Sequence, residues 1–129
     1  MKLGEITEKI LSACFEVSNE LGHGFLESVY EKALTIALRD QGLNAENQVA
    51  LQVKFRHQDV GNFYADVIVE EKVLLELKAA KALASEHIAQ TLSYLKTTGL
   101  EVGLLVNFGN PKLEYRRFEN RFLRADYQG

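Results

Sequence analysis

Asp66, Glu76 and Lys78 are the residues of this chain whose types and spacing could do chemistry together. They fall in the stretch Tyr64-Ala-Asp-Val-Ile-Val-Glu-Glu-Lys-Val-Leu-Leu-Glu-Leu-Lys78, which reads as two strands around the charged Glu70-Glu71-Lys72. Side chains alternate along a strand, so Tyr64, Asp66 and Ile68 form one row and Leu74, Glu76 and Lys78 the facing row. A three-residue loop at 70–72 pairs Val69 with Val73 and sets Asp66 opposite Glu76, with Cβ atoms about 5 Å apart. A two-residue loop would throw the two acids onto opposite faces. Two carboxylates beside apolar neighbours are costly without compensation. A divalent cation is the obvious compensation.

Other residues could join them. Glu27 and Tyr30 sit three apart in Gly24-Phe-Leu-Glu27-Ser-Val-Tyr30 and share one helix face. Glu27 is a candidate third carboxylate; the plainer reading is a first-turn glutamate favoured by the helix dipole. Gln90 and Tyr94 share a face one turn apart on a later helix. An ammonium at Lys78 could orient a metal-bound water or stabilise charge at an attacked phosphate. Its plainer reading is an ion pair with Glu76 or Asp66. His23, His57 and His87 have no close pair at metal-ligand spacing, so no zinc site is expected. His87, near the start of the Gln90 helix, could approach a substrate, though an ordinary surface residue is the plainer reading, and His23 stays open between the same two.

The elements that must position these residues follow from periodicity. Residues 5–21 form an amphipathic pattern with Ile6, Ile10, Cys14, Val17 and Leu21 on one side, stopped by Gly22. A second helix covers about 26–41, with Gly42 as the residue after its end. Val49, Leu51, Val53 and Phe55 then alternate with polar residues as a half-buried strand. Asp59-Val60-Gly61-Asn62 supplies turn residues before the strand at 63–69. Ser85 is a fitting N-cap for a helix running to Thr98, stopped by Gly99. Val102 to Phe108 is a short apolar run, the sign of a strand buried on both faces. Leu113 to Phe118 alternates again as a last, edge strand. The order ααβββαββ makes a mixed sheet flanked by helices, an α/β fold in which the third and fourth strands pair in parallel through a right-handed crossover.

Composition narrows the classes. A chain of 129 residues, 47% hydrophobic and 26% charged with one proline, reads as one globular domain over residues 1–129 with a sizeable core. The single Cys14 on an apolar helix face reads as a small core residue. One cysteine and no membrane-length apolar run make the cytosol the expected location. The net charge of −3 argues against a clamp on long duplex through many phosphate contacts. Charge is uneven, however. The first 48 residues carry eight acids and four bases, whereas 110–129 hold Lys112, Arg116, Arg117, Arg121 and Arg124 against Glu114, Glu119 and Asp126. That basic end could face a polyanion or simply be solvated.

Asp66 followed by Glu76-Leu-Lys78 on the next strand resembles the D…E-x-K core of the PD-(D/E)XK nuclease superfamily. Ala65 stands where that core has its eponymous proline, a position that is not a ligand. Gln90-Thr-Leu-Ser-Tyr94 is similar to the Q-x-x-x-Y motif of the RecB-like branch, and Gly24 to Tyr30 resembles the signature of the small GxxExxY family. The resemblance spans about residues 6–108 and implies a restriction-endonuclease-like core. It implies that Asp66, Glu76 and Glu27 ligate Mg²⁺ or Mn²⁺, with the Leu77 carbonyl as a further ligand. Lys78 would position or activate the hydrolytic water. Gln90, Tyr94 and Tyr30 would orient the metal shell or touch the substrate.

The implied activity is metal-dependent phosphodiester hydrolysis in nucleic acid, DNA ahead of RNA. A homodimer is a further expectation, because one small site cannot reach both strands of a duplex. Two other classes compete. One is a module that keeps the nuclease fold and binds nucleic acid or protein without cutting. The other is a structural subunit whose interface is the Leu113 to Phe122 region.

Overall fold

The computed structural model describes residues 3–121. Two helices come first, α1 (Gly4–Leu21) and α2 (Glu27–Asp40). Three strands follow, β1 (Ala45–Phe55), β2 (Gln58–Val69) and β3 (Val73–Lys78). Then come α3 (Ser85–Thr98), β4 (Val102–Asn107) and β5 (Glu114–Glu119). The sheet order is β1-β2-β3-β4-β5, antiparallel except for the parallel pair β3–β4. This is the expected ααβββαββ mixed sheet, five strands with three helices, consistent with a restriction-endonuclease-like core. No helix among the described residues is long and apolar enough to cross a membrane.

Two apolar layers hold the sheet. On one face Ile10, Cys14, Leu34 and Leu38 of α1 and α2 pack on Val67, Val73, Leu75, Leu77, Leu104 and Val106. On the other, Leu95 of α3 packs on Leu51, Ala65 and Leu74. Burying each such side chain contributes about 1.5–3 kcal/mol, so β3 and β4 are the firmest part of the molecule. Burial pushes the Cys14 thiol up to about 12, which leaves it an inert core residue as expected.

Of the two loop lengths open to the sequence, the β2–β3 link has the odd one, which sets Asp66 and Glu76 on one face. Val69 pairs with Val73, and Glu70 and Glu71 both take positive φ, as the two central residues of a type I′ turn do. Lys72 N–H closes the turn on the Val69 carbonyl at 3.0 Å. Neither residue is a glycine, so the turn is strained. The link that leads into β1 compensates: Glu70 N–H donates to the Asn44 carbonyl at 2.8 Å, and its carboxylate accepts from Asn44 N–H at 2.6 Å.

Other details differ from expectation. The β1–β2 turn is Arg56-His57, both at positive φ, rather than Asp59 to Asn62. Those turn-forming residues instead lie inside β2, where the register shifts at Val53/Lys54 and Gly61 faces Val53. Glycine inside a strand often marks such an irregularity. The N-cap of α3 is Ala84, not Ser85, and the Ala84 N–H donates to Nδ1 of His87 at 3.0 Å. Strand β5 is an edge strand as expected, but Leu113 just before it is buried, so it cannot serve an exposed interface. Phe122, Arg124 and Asp126 lie outside the described residues.

Tyr30 organises the link between the helices. Its fully buried ring stacks on Phe108 at 4.8 Å between centroids. Its hydroxyl donates to the Gly22 carbonyl at 2.7 Å and accepts from Phe25 N–H at 3.2 Å. Gly22 and Gly24 take positive φ there, which a side chain would resist. Tyr30→Phe should therefore cost about 1–2 kcal/mol, two hydrogen bonds' worth, in denaturant unfolding. Unchanged stability would show that these bonds do not hold the link.

Candidate active site

The hairpin register carries straight into the site. Past the last ladder pairs, Asp66 on β2 faces Glu76 on β3, and the two acids interlock through the backbone. Asp66 N–H donates to Glu76 Oε2 at 2.9 Å, and Leu77 N–H donates to Asp66 Oδ2 at 2.8 Å. Each carboxylate is thus fixed by the neighbouring strand's peptide. Glu76 is only 2% exposed.

The electrostatics follow from that placement. Burial first, then the charge of Asp66 and to a lesser degree that of Glu31, push the Glu76 carboxyl up to about 8. The Asp66 N–H and the Lys78 ammonium only partly offset this. Asp66 is raised for the same first reason; Leu77 N–H pulls it back, while the charge of Glu31 raises it again. In the absence of a cation, the pair favours holding a proton.

Lys78 projects from the same edge of β3. It makes no ion pair with either acid within 4 Å; its Nζ donates instead to Gln90 Oε1 at 2.8 Å. The adjacent strand secures this end of β3. Asn107, fully buried and paired with Lys78 across β3–β4, bonds both the N–H and the carbonyl of Ala80 at 2.9 Å. A Cβ at Gly109 would collide with the Ala80 backbone, so only glycine allows the close approach. That clamp fixes how the chain leaves Lys78 for α3. Tyr94 lies one turn after Gln90 on the same helix, α3. Burial raises the Tyr94 hydroxyl, and the charges of Glu76 and Asp66 raise it further, so it stays protonated and can donate.

Asp66, Glu76, Leu77, Lys78, Gln90 and Tyr94 therefore converge. Among the described residues, no hydrogen bond ties Glu27 or Tyr30 to them. Glu27 is exposed at the first position of α2, and the hydroxyl of Tyr30 is committed to the helix link. The α2 acid that bears on Asp66 and Glu76 is Glu31, one turn further on. Gln48 bridges the two elements, its Nε2 donating to Glu31 Oε1 at 2.7 Å and to Asp66 Oδ1 at 3.4 Å. Asn47 holds Glu31 from the other oxygen at 3.2 Å and Thr35 at 2.7 Å. Glu31 carried a signal, since it shares a helix face with Glu27. Gln48 carried none: its place comes from a positive φ opposite Asp66, where the β1–β2 ladder is interrupted.

The donor set suits a hard divalent cation. Both acids offer oxygen, and a cation would relieve the repulsion that now raises them. Among the described residues no three His, Cys, Asp or Glu side chains stand gathered around one point.

Comparison with known proteins agrees with this geometry. Residues 4–118 match the family model of the PD-(D/E)XK nuclease superfamily, and the chain belongs to that superfamily. The match is to the superfamily, broader than the GxxExxY group. No curated protein matches the chain. Among solved structures, the crystal structure of SSO0001 is similar, with a TM-score of 0.58 at 20% identity over 72% of this chain and 50% of that one. The likeness is one of fold, and this chain spans half the length of that one.

The raised Glu76 carboxyl has a consequence for stability. The folded state keeps a proton that the unfolded chain releases above its ordinary 4.5. Stability of the ion-free protein should fall as pH rises from there to about 8. Glu76→Gln cannot ionise, so it should melt about 5–10 °C above wild type at pH 8 and close to it below pH 5. An equal difference at both ends would mean that Glu76 is not held protonated.

Proposed function

We propose that this member of the PD-(D/E)XK nuclease superfamily is a metal-dependent nuclease that hydrolyses phosphodiester bonds in nucleic acid, DNA ahead of RNA. The observation that carries the reading is the meeting of Asp66 and Glu76 with Lys78 at one end of β3. Asp66 and Glu76 are the residues to hold Mg²⁺ or Mn²⁺, with the Leu77 carbonyl and an α2 acid, Glu27 or Glu31, completing the set. A bound ion there supplies Lewis acidity to the scissile phosphate and a lowered pKa to water.

The remaining residues act around that centre. Gln90 holds the Lys78 ammonium at the edge of the carboxylates, where it orients the attacking water and stabilises charge building on the phosphate. Tyr94, protonated, donates to a phosphate oxygen or to the carboxylates. A cytosolic setting, with a homodimer for cuts in both strands of a duplex, completes the proposal.

The absence of a ready-made group of three acids among the described residues favours one rival, a module with a lapsed site that binds without cutting. Cleavage assays separate the two. With Mg²⁺ or Mn²⁺, wild type should cut single- or double-stranded DNA or RNA. Asp66→Ala should abolish cutting, and Lys78→Ala should lower it about 10²–10³-fold. Calorimetry should show Mn²⁺ uptake that is lost in Asp66→Ala and in Glu76→Gln. A wild type that takes up no Mn²⁺ and cuts nothing is the lapsed module.

A further inference from the structure

A groove opens from Tyr94 away from the carboxylates, between α3 and the outer half of the β1–β2 ribbon. It encloses about 750 Å³, and Gln90 and Tyr94 of the site form part of its wall. Phe63 from β2 forms the opposite wall, its ring 5.7 Å from that of Tyr94 and tilted by 46°. Lys54 and Lys96 stand along it, and no acid lines it. Asp59 sits beyond the lining, bonded to Gln52 at 3.2 Å and 3.6 Å from the Lys54 ammonium.

This composition is unlike a surface left to solvent. Phe63 is 43% exposed, and Val60 and Tyr64 of the same outer half of β2 are exposed with it, whereas Ala65, Val67 and Val69 further along the strand are buried. Gly61 leaves room for it, because a Cβ there would come within 2.9 Å of the Phe63 ring. The chain is acidic overall, yet the groove presents lysines. A duplex hides its base faces and offers an aromatic ring little to bind. An unpaired strand offers both a phosphate backbone for lysines and a base face for stacking.

We propose that the Phe63–Tyr94 groove holds an unpaired nucleotide next to the scissile phosphate, with the base on the open face of Phe63 and the backbone along Lys54. The proposal rests on the nuclease reading and narrows it to single-stranded or splayed substrate. The separation of the two rings is too small for a base to enter between them, so the base stacks from outside, on Phe63.

Binding tests this apart from cutting. Fluorescence anisotropy of the full chain, in EDTA, compares a labelled single-stranded oligodeoxynucleotide, the matching oligoribonucleotide and the blunt DNA duplex. Either single strand should bind at least about 10-fold tighter than the duplex. Phe63→Ala should weaken single-strand binding by about 5- to 150-fold, the span for losing one stacked base, while Phe63→Tyr keeps it. Duplex binding equal to or tighter than both single strands overturns the proposal. So does unchanged affinity in Phe63→Ala, or no binding by wild type. Cutting with Mn²⁺ and indifference to Phe63→Ala together sink the groove and leave the nuclease standing. Phe63-dependent binding without any cutting does the reverse.

Discussion

Directly opposed residues on paired strands stand about 5 Å apart, and a three-residue loop at Glu70 to Lys72 makes Asp66 and Glu76 such residues. One residue more or less in that loop would send the carboxylates to opposite faces of the sheet. The strain accepted at Glu70 and Glu71, both at positive φ, keeps the register. Asn44, just before β1, grips both the backbone and the side chain of Glu70 and holds the turn in place. A feature remote from the chemistry thus decides whether the two acids meet.

Around that pair the molecule is rigid where position matters. Leucines and valines on both faces of β3 and β4 fix the strand that carries Glu76 and Lys78. Asn107 and Gly109 fix its exit, and His87 caps the helix that brings Gln90 and Tyr94. The cost is concentrated at the site itself. Glu76 is a buried acid beside a like charge, and Gln48 takes a left-handed backbone opposite Asp66. Local rules broken at one point amid a well-formed core are a mark of function.

Much of this was legible in the residues. The element order, the parallel β3–β4 pair and, given an odd loop, the shared face of Asp66, Glu76 and Lys78 follow from alternation and helical spacing. Gln90 and Tyr94 are tied to them by the resemblance to the Q-x-x-x-Y motif. What escaped depends on contacts between residues distant in the chain. Glu31 and Gln48 are 17 residues apart and meet only because α2 crosses β1 at the interrupted ladder. Tyr30 shares a helix face with Glu27, but periodicity cannot say that its hydroxyl turns back to Gly22. The β1–β2 turn escaped because Arg56 and His57 adopt a conformation usually left to glycine or asparagine, while Gly61 serves Phe63 instead.

The central claim is that Asp66 and Glu76 are opposed in order to share a cation. Anomalous diffraction from crystals soaked in Mn²⁺ near neutral pH tests it most directly. The metal-site assignment predicts one strong peak bridging the two carboxylates, with Glu27 or Glu31 turned toward it. No peak between Asp66 and Glu76, in crystals that take up Mn²⁺ elsewhere, would contradict it.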